Sequence, residues 1–217
     1  IRILADPTGE WASLSMINPN LQFRMADLPS IDYFRTTKIL HIDGYASLSP
    51  LGNEEVVFEA ISRATDAGCV ISVDACVPTA KHATGLLKRI FGYADITFAN
   101  LSEAQLLTGA DTPTAIIDSY RRMNLDLGIV KNGMHGSYIA TPTSSVHIPA
   151  YKVDVIDSIA AGDAYVAGLL ASLCKGIPLI ESAKCASASG ALACQGAGSL
   201  SNHFSFSDVA KMISQVQ

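Results

Sequence analysis

The sequence predicts an α/β fold, a three-layer α/β/α sandwich around a mostly parallel sheet. Three observations carry that expectation. Short β-type apolar runs alternate with segments of helical periodicity from residue 39 onward, and such alternation builds βαβ units whose helices cover both faces of a sheet. Gly and Pro punctuate the joins between these segments, as turn residues do. Hydrophobic residues make up 49% of the 217 positions, enough apolar material for a sizeable buried core.

Taken in order, residues 1–17 read as a hairpin. IRILA and WASLSMI are strand-like, and Pro7, Thr8 and Gly9 supply turn chemistry between them. Residues 18–37 are irregular and polar apart from a short helix expected around Ile31–Arg35. ILHID (39–43) is a β-type run. Over 53–67, Val56, Val57, Ala60, Ile61 and Ala64 recur at helical spacing, and Gly68 stops the pattern. VISVD (70–74) reads as a strand, 79–94 as a helix with a weak spot at Gly85, ITFAN (96–100) as a strand, and 101–109 as a short helix ended by Gly109. A helix over 112–124, a strand over 127–133 and a second hairpin from SYIATP and VHIPAY follow. Helices over 160–175, 179–195 and 207–216 finish the chain. The expected organisation is the hairpin 1–17 followed by an α/β domain, 18–217.

Composition excludes several classes of function. The net charge is −5 and no Lys/Arg run stands out, so neither nucleic acid nor a membrane surface has an electrostatic footprint here. No stretch is apolar for long enough to span a bilayer; residues 161–174 come closest, but they are short and contain Asp163. The first residues lack the pattern of a signal peptide. The five cysteines, Cys69, Cys76, Cys174, Cys185 and Cys194, form no C-x-x-C pair, and buried free thiols in a cytoplasmic protein account for them. The five histidines, His41, His82, His135, His147 and His203, form no cluster with ligand spacing.

The most informative stretch is Asp157-Ser158-Ile159-Ala160-Ala161-Gly162-Asp163, small residues directly before a long helical pattern. A helix N-terminus without bulky side chains exposes free N–H groups and the positive end of the dipole, which suits a phosphate. Asp163 in the first turn is then either a dipole-complementing residue or a base. Asn100-Leu101-Ser102-Glu103 follows a strand and opens a helix; a reciprocal cap between Asn100 and Glu103 explains it locally. Lys131-Asn132-Gly133-Met134-His135-Gly136 closes a strand with two glycines, and Gly196-Ala197-Gly198-Ser199 forms a loop after the penultimate helix.

These four segments, in this order, resemble the signatures of the ribokinase-like (PfkB) carbohydrate kinases: a D-T-x-G-A-G-D run before a helix, N-x-x-E, T/K-x-G-x-x-G, and a loop beside the adenine. Ala160 replaces the usual first glycine and Ser158 the threonine; a methyl is tolerable at 160 if the backbone there stays helical. The resemblance implies an ATP-dependent kinase acting on a hydroxyl of a sugar or sugar-like small molecule, with a nucleoside as the alternative substrate. It implies Asp163 as the base and the N–H groups of Ala160, Ala161 and Gly162 as the anion hole. It also implies nucleotide contacts from Asn100, Lys131, Gly133, Gly136, Gly162 and Ser187, and Mg²⁺ held through water by Glu103. Asp157 and the carbonyl of Ile159 would hold a monovalent cation such as K⁺.

Departures from the family bear on substrate. Asp74 matches the first residue of its D-x-N-x-R strand motif, but the Asn and Arg are absent. In the lid turn Asp6, Gly9 and Glu10 match, while Trp11 stands where an Arg is common. The family's N-terminal strand, Gly-Gly segment and Asn-containing helix have no counterpart, as in a fragment or a natural short form. A sheet lacking that strand exposes an apolar edge. Such a chain is expected to associate, as a homodimer or with another polypeptide, and to turn over poorly alone. A non-catalytic ATP-binding module is the competing class. A dinucleotide-dependent oxidoreductase is disfavoured, because no G-x-G-x-x-G follows a first strand.

Overall fold

In a computed structural model the described residues are 2–5, 11–14, 22–45, 54–200 and 202–215, with side chains described from residue 22 onward. The chain forms two compact units, Asn20–Pro149, and Ile1–Pro19 together with Ala150–Gln217.

Asn20–Pro149 contains the sheet. A short helix α1 (Ile31–Arg35) leads into β3 (Ile39–Asp43), and α2 (Glu54–Asp66), β4 (Val70–Asp74), α3 (Val77–His82), α4 (Thr84–Phe91), β5 (Ile96–Asn100), α5 (Leu101–Thr108), α6 (Pro113–Arg122), β6 (Leu127–Lys131), β7 (Ser137–Ala140) and β8 (Ser145–Ile148) follow. Six strands pair in sequence order, β3-β4-β5-β6-β7-β8. The first four are parallel and the last two antiparallel. Parallel strands covered on both faces read as continuous apolar runs, and Ile71–Asp74, Ile96–Ala99 and Gly128–Val130 are buried throughout. The core gathers Ile61, Ile71, Leu87, Ile90, Phe91, Leu107, Ile116 and Tyr120. Each such side chain contributes about 1.5–3 kcal/mol by leaving water. Gly128 lets α6 lie close to the sheet, since a Cβ there would stand 2.4 Å from Tyr120 Cδ2.

Most expected elements are found within a residue or two of their limits. Two differ. The helix over 79–94 is two helices, and the break lies at Ala83 (φ −136°, ψ 36°), not at Gly85. Here tertiary ties outweigh propensity: the buried Thr79 donates its hydroxyl to the Gly44 carbonyl at 2.5 Å, anchoring α3, while α4 turns Leu87, Ile90 and Phe91 into the core. The strand over 127–133 stops at Lys131, because Gly133 (φ 51°) opens a 3₁₀ turn, 133–135.

In the other unit, β1 (Arg2–Ala5) pairs antiparallel with β2 (Trp11–Leu14) as the expected hairpin, Arg2 opposite Leu14 and Ala5 opposite Trp11. Its turn, Pro7 to Gly9, the lid positions Asp6, Gly9 and Glu10, and the Trp11 side chain lie outside the described residues. α7 (Ala161–Cys174), α8 (Leu179–Ala193) and α9 (Phe206–Ser214) complete this unit. α7 and α8 approach through small residues: a Cβ on Gly168 would sit 2.5 Å from Ser189 Oγ, and one on Gly190 3.2 Å from the Ala161 carbonyl oxygen. None of the five cysteines is in a disulfide, and Cys69, Cys76 and Cys185 are buried. Among the described residues no helix is long and apolar enough to cross a membrane.

Candidate active site

In parallel α/β sheets ligands bind beyond the carboxyl ends of the strands. Three adjacent parallel strands of Asn20–Pro149 end on Asp74, Asn100 and Lys131. Lys131 Nζ lies 2.6 Å from Asp74 Oδ2, with the two side chains 13% and 11% exposed. The pair reaches from β6 to β4 across β5, and the ammonium also stands 6.0 Å from the Phe98 ring centroid. Asn100 and Glu103 form the reciprocal cap of α5: Asn100 Oδ1 accepts from the Glu103 N–H at 2.9 Å, and Glu103 Oε2 from the Asn100 N–H at 2.7 Å. The cap thereby fixes Glu103, which is buried. Tyr120 is enclosed beside this group; its hydroxyl has no hydrogen-bond partner among the described residues. Burial, and then the negative charges of Glu103 and Asp74, push its pKa up. The loop after β6 needs its glycines. Gly136 (φ 82°, ψ −143°) lies where only glycine is at ease; its N–H donates to the Gly133 carbonyl, and its own carbonyl accepts from Asn132 at 2.8 Å.

The helix N-terminus lies in the other unit. The segment before α7 is tied by Asp157, whose Oδ1 accepts from the Ile159 N–H at 2.9 Å and Oδ2 from the Gly198 N–H at 2.7 Å. The Cys194 carbonyl accepts from Ile156 and Asp157 N–H groups at 2.8 and 3.2 Å. Burial, and then the Asp157 charge, raise the Cys194 thiol pKa. The backbone at Ala160 is not helical, as its tolerance of a methyl required; it caps α7 in the left-handed region at φ 63°. The Ala161 N–H turns back to the Ser158 carbonyl at 3.2 Å. Gly162 and Asp163, the next two residues of the first turn, hold N–H groups without an acceptor among the described residues.

Ala160, Asp163, Ala164 and Ala167 share one face of α7 and line a cavity of about 260 Å³. Ile159, Ala193, Gly198, Ser199, Asn202 and Phe204 complete it. Asp163 is exposed there, in no ion pair among the described residues. Ser187 lies buried on α8 outside this lining. Sequence reading missed the Asp74 partnership of Lys131, and Ala167, Asn202 and Phe204 around the cavity. The alanine face was legible as a small-residue stripe at helical spacing around Asp163; nothing local marked Asn202.

The chain is similar in sequence and fold to known proteins. The chain is 28% identical over 175 residues to the 2-dehydro-3-deoxygluconokinase of Bacillus subtilis, covering 78% of this chain and 54% of that one. It therefore spans about half the length of that relative. The crystal structure of ribokinase from Thermotoga maritima shares the fold with a TM-score of 0.81 at 21% identity, over 98% of this chain and 68% of that one. Aminoimidazole riboside kinase from Salmonella enterica, solved with aminoimidazole riboside and an ATP analogue, gives 0.77 at 26% identity, over 88% and 66%. Residues 8–203 match the pfkB family carbohydrate kinase description, and the chain belongs to that family.

Proposed function

We propose that this chain is the nucleotide-binding and catalytic part of an ATP-dependent kinase that phosphorylates a hydroxyl of a sugar or sugar-like molecule. The observation that carries the reading is Asp163: an exposed carboxylate in the first turn of α7, on the cavity wall, next to N–H groups that have no acceptor among the described residues. Asp163 takes the proton from the acceptor hydroxyl as its oxygen attacks the γ-phosphorus, the bond from that phosphorus to the β–γ bridging oxygen breaks and ADP leaves, and the N–H groups of Gly162 and Asp163, with the helix dipole, answer the charge that develops on phosphorus-bound oxygen. Positioning and electrostatics do the work.

Within Asn20–Pro149, the glycine loop after β6 has a backbone that a nucleotide can approach, while Lys131, paired with Asp74 at 2.6 Å, orders the strand ends and offers no spare charge. Mg²⁺ accompanies ATP in this chemistry and neutralises its phosphates. Glu103 fits it as a fixed, buried, anionic oxygen donor, acting through water. Asp157 supports a monovalent cation less well, since both its oxygens already accept N–H groups; it acts as a clasp between the segment before α7 and the loop at Gly198. The hairpin, 1–17, is assigned as part of a lid. The riboside bound by the Salmonella relative keeps a nucleoside as the second acceptor class.

Calorimetry with Mg·ATP, with a coupled assay over sugars and nucleosides, tests the reading. The parent and Asp163→Asn bind ATP with affinities within a few-fold of each other, Gly162→Asp does not bind, and Asp163→Asn lowers turnover by about 10²–10⁴-fold, the usual contribution of a positioned base. Turnover that survives Asp163→Asn, or a folded parent that binds no ATP, contradicts it.

A further inference from the structure

α2 turns Val57 and Ala64 into the core, and its opposite side lines a groove of about 1030 Å³. None of the residues given a part in phosphoryl transfer lines this groove. One wall is an ordered stack. Arg89 of α4 forms an ion pair with Glu54 and sets its guanidinium 4.8 Å from the Phe58 ring centroid, a cation–π contact. Phe58 in turn meets Tyr93 edge to face, with centroids 5.6 Å apart. Tyr93 is thus held by its neighbours and still 61% exposed. The groove is also acidic: Glu54, Glu55, Glu59 and Asp66 line it, against Arg89 as the cation. Glu54 answers Arg89, and Glu59 answers Arg63. Glu55 and Asp66 are exposed and in no ion pair among the described residues. Their separation of 11 positions is three helical turns, so they stand on one side of α2, about 16 Å apart.

We infer that this groove docks a basic amphipathic helix of a partner protein, laid along α2. Charge selects the occupant. A helix packed beside α2 shares its rise, so two of its cations three turns apart meet Glu55 and Asp66 together. Its apolar stripe then lies on Phe58 and Tyr93, as in other helix-in-groove complexes. A second copy seated through the same face brings carboxylates against carboxylates, and a nucleic acid brings phosphates against them; both are repelled. The ordered aromatic wall supplies contact area without a large cost in side-chain freedom. The inference does not depend on the nucleotide reading above.

The test is fluorescence anisotropy of two labelled model helical peptides titrated with the full chain at low salt. Both carry a leucine stripe; beside it, three turns apart, one has Lys and the other Glu. The Lys peptide is expected to bind about ten-fold tighter than the Glu peptide, with a preference that shrinks as salt rises. Glu55→Lys combined with Asp66→Lys reverses the order. Tyr93→Ala weakens the Lys peptide by about five-fold or more. Absence of binding by the Lys peptide, equal affinities for the two peptides, or an order unchanged in the double variant overturns the inference. So does a dimer of the parent, seen by sedimentation, that the double variant abolishes, since the occupant is then a second copy. All three substituted side chains are exposed; should the double variant still not fold, the parent's choice between the peptides and the Tyr93→Ala loss decide the matter.

Discussion

The ends of β4–β6 and the N-terminus of α7 handle polar groups in opposite ways. At the strand ends charge is spent inside the protein. Lys131 is paired with Asp74 at 2.6 Å, and Asn100 and Glu103 cap one another. The backbone positions that need positive φ after β6 are glycines, Gly133 and Gly136. At α7 the Asp163 carboxylate and two N–H groups are left without protein partners among the described residues, and the left-handed position is an alanine, Ala160. Apart from the enclosed Tyr120 hydroxyl beside them, the strand ends satisfy their polar groups internally and put glycine at positive φ; the α7 end keeps its interactions for a ligand and carries strain, as functional sites do. The contrast predicts that substitutions at the strand ends show first in stability, and substitutions at α7 show first in chemistry.

The largest stability effect belongs to the ion pair. Removing one member of a buried pair strands the other charge, which costs about 3–5 kcal/mol, whereas removing both is far milder. Lys131→Met is therefore expected to cost about 3 kcal/mol, the lower end because the pair retains some exposure. Lys131→Met combined with Asp74→Asn recovers most of it. Urea denaturation of the cycle measures this. Equal losses in Lys131→Met and in the double variant break the comparison at its first term.

Next is Gly136→Ala. At φ 82° and ψ −143° an alanine is strained wherever its methyl points, by about 1–3 kcal/mol. In a chain of this length each kcal/mol moves Tm by about 2–4 °C, so a melting point some 2–12 °C lower is expected. An unchanged Tm means the loop adopts another backbone, and with it that the strand ends are not the unstrained region.

The two regions were also unequally legible in the sequence. β3, β4 and β5 follow their apolar runs to the residue; for β4 and β5 the reason is that strands buried on both faces leave an unbroken signature. The α5 cap was visible as Asn100 and Glu103 three residues apart, since capping is local. The Asp74–Lys131 pair joins residues 57 apart and depends on strand order, which no local pattern encodes. Propensity alone gives one helix over 79–94 with a weak spot at Gly85; the break at Ala83 accompanies the Thr79 tie to Gly44, which no local pattern shows. At α7 the motif revealed the chemistry but not the backbone: a D-x-x-x-x-G-D run locates the helix start, while the sign of φ at Ala160 depends on how Asp157 and Cys194 hold the preceding segment. Asn202 was invisible because its tie is to a carbonyl ten residues earlier on α8.

The smallest effect, and the sharpest test of strain at α7, is Ala160→Gly. An L-residue in the left-handed region costs roughly 1–2 kcal/mol, and glycine returns roughly 0.5–1 kcal/mol of that through the extra freedom of its unfolded chain. The net expectation is a gain of about 0.5–1 kcal/mol, a Tm higher by about 1–4 °C, with Mg·ATP affinity within two-fold of the parent. The sign carries the argument. Almost every glycine placed at a helix end in exchange for alanine weakens a helix when φ is negative. Stabilisation by this one is therefore expected only if Ala160 (φ 63°) holds strain that the strand-end loop, with Gly133 and Gly136 at its own positive-φ positions, avoids.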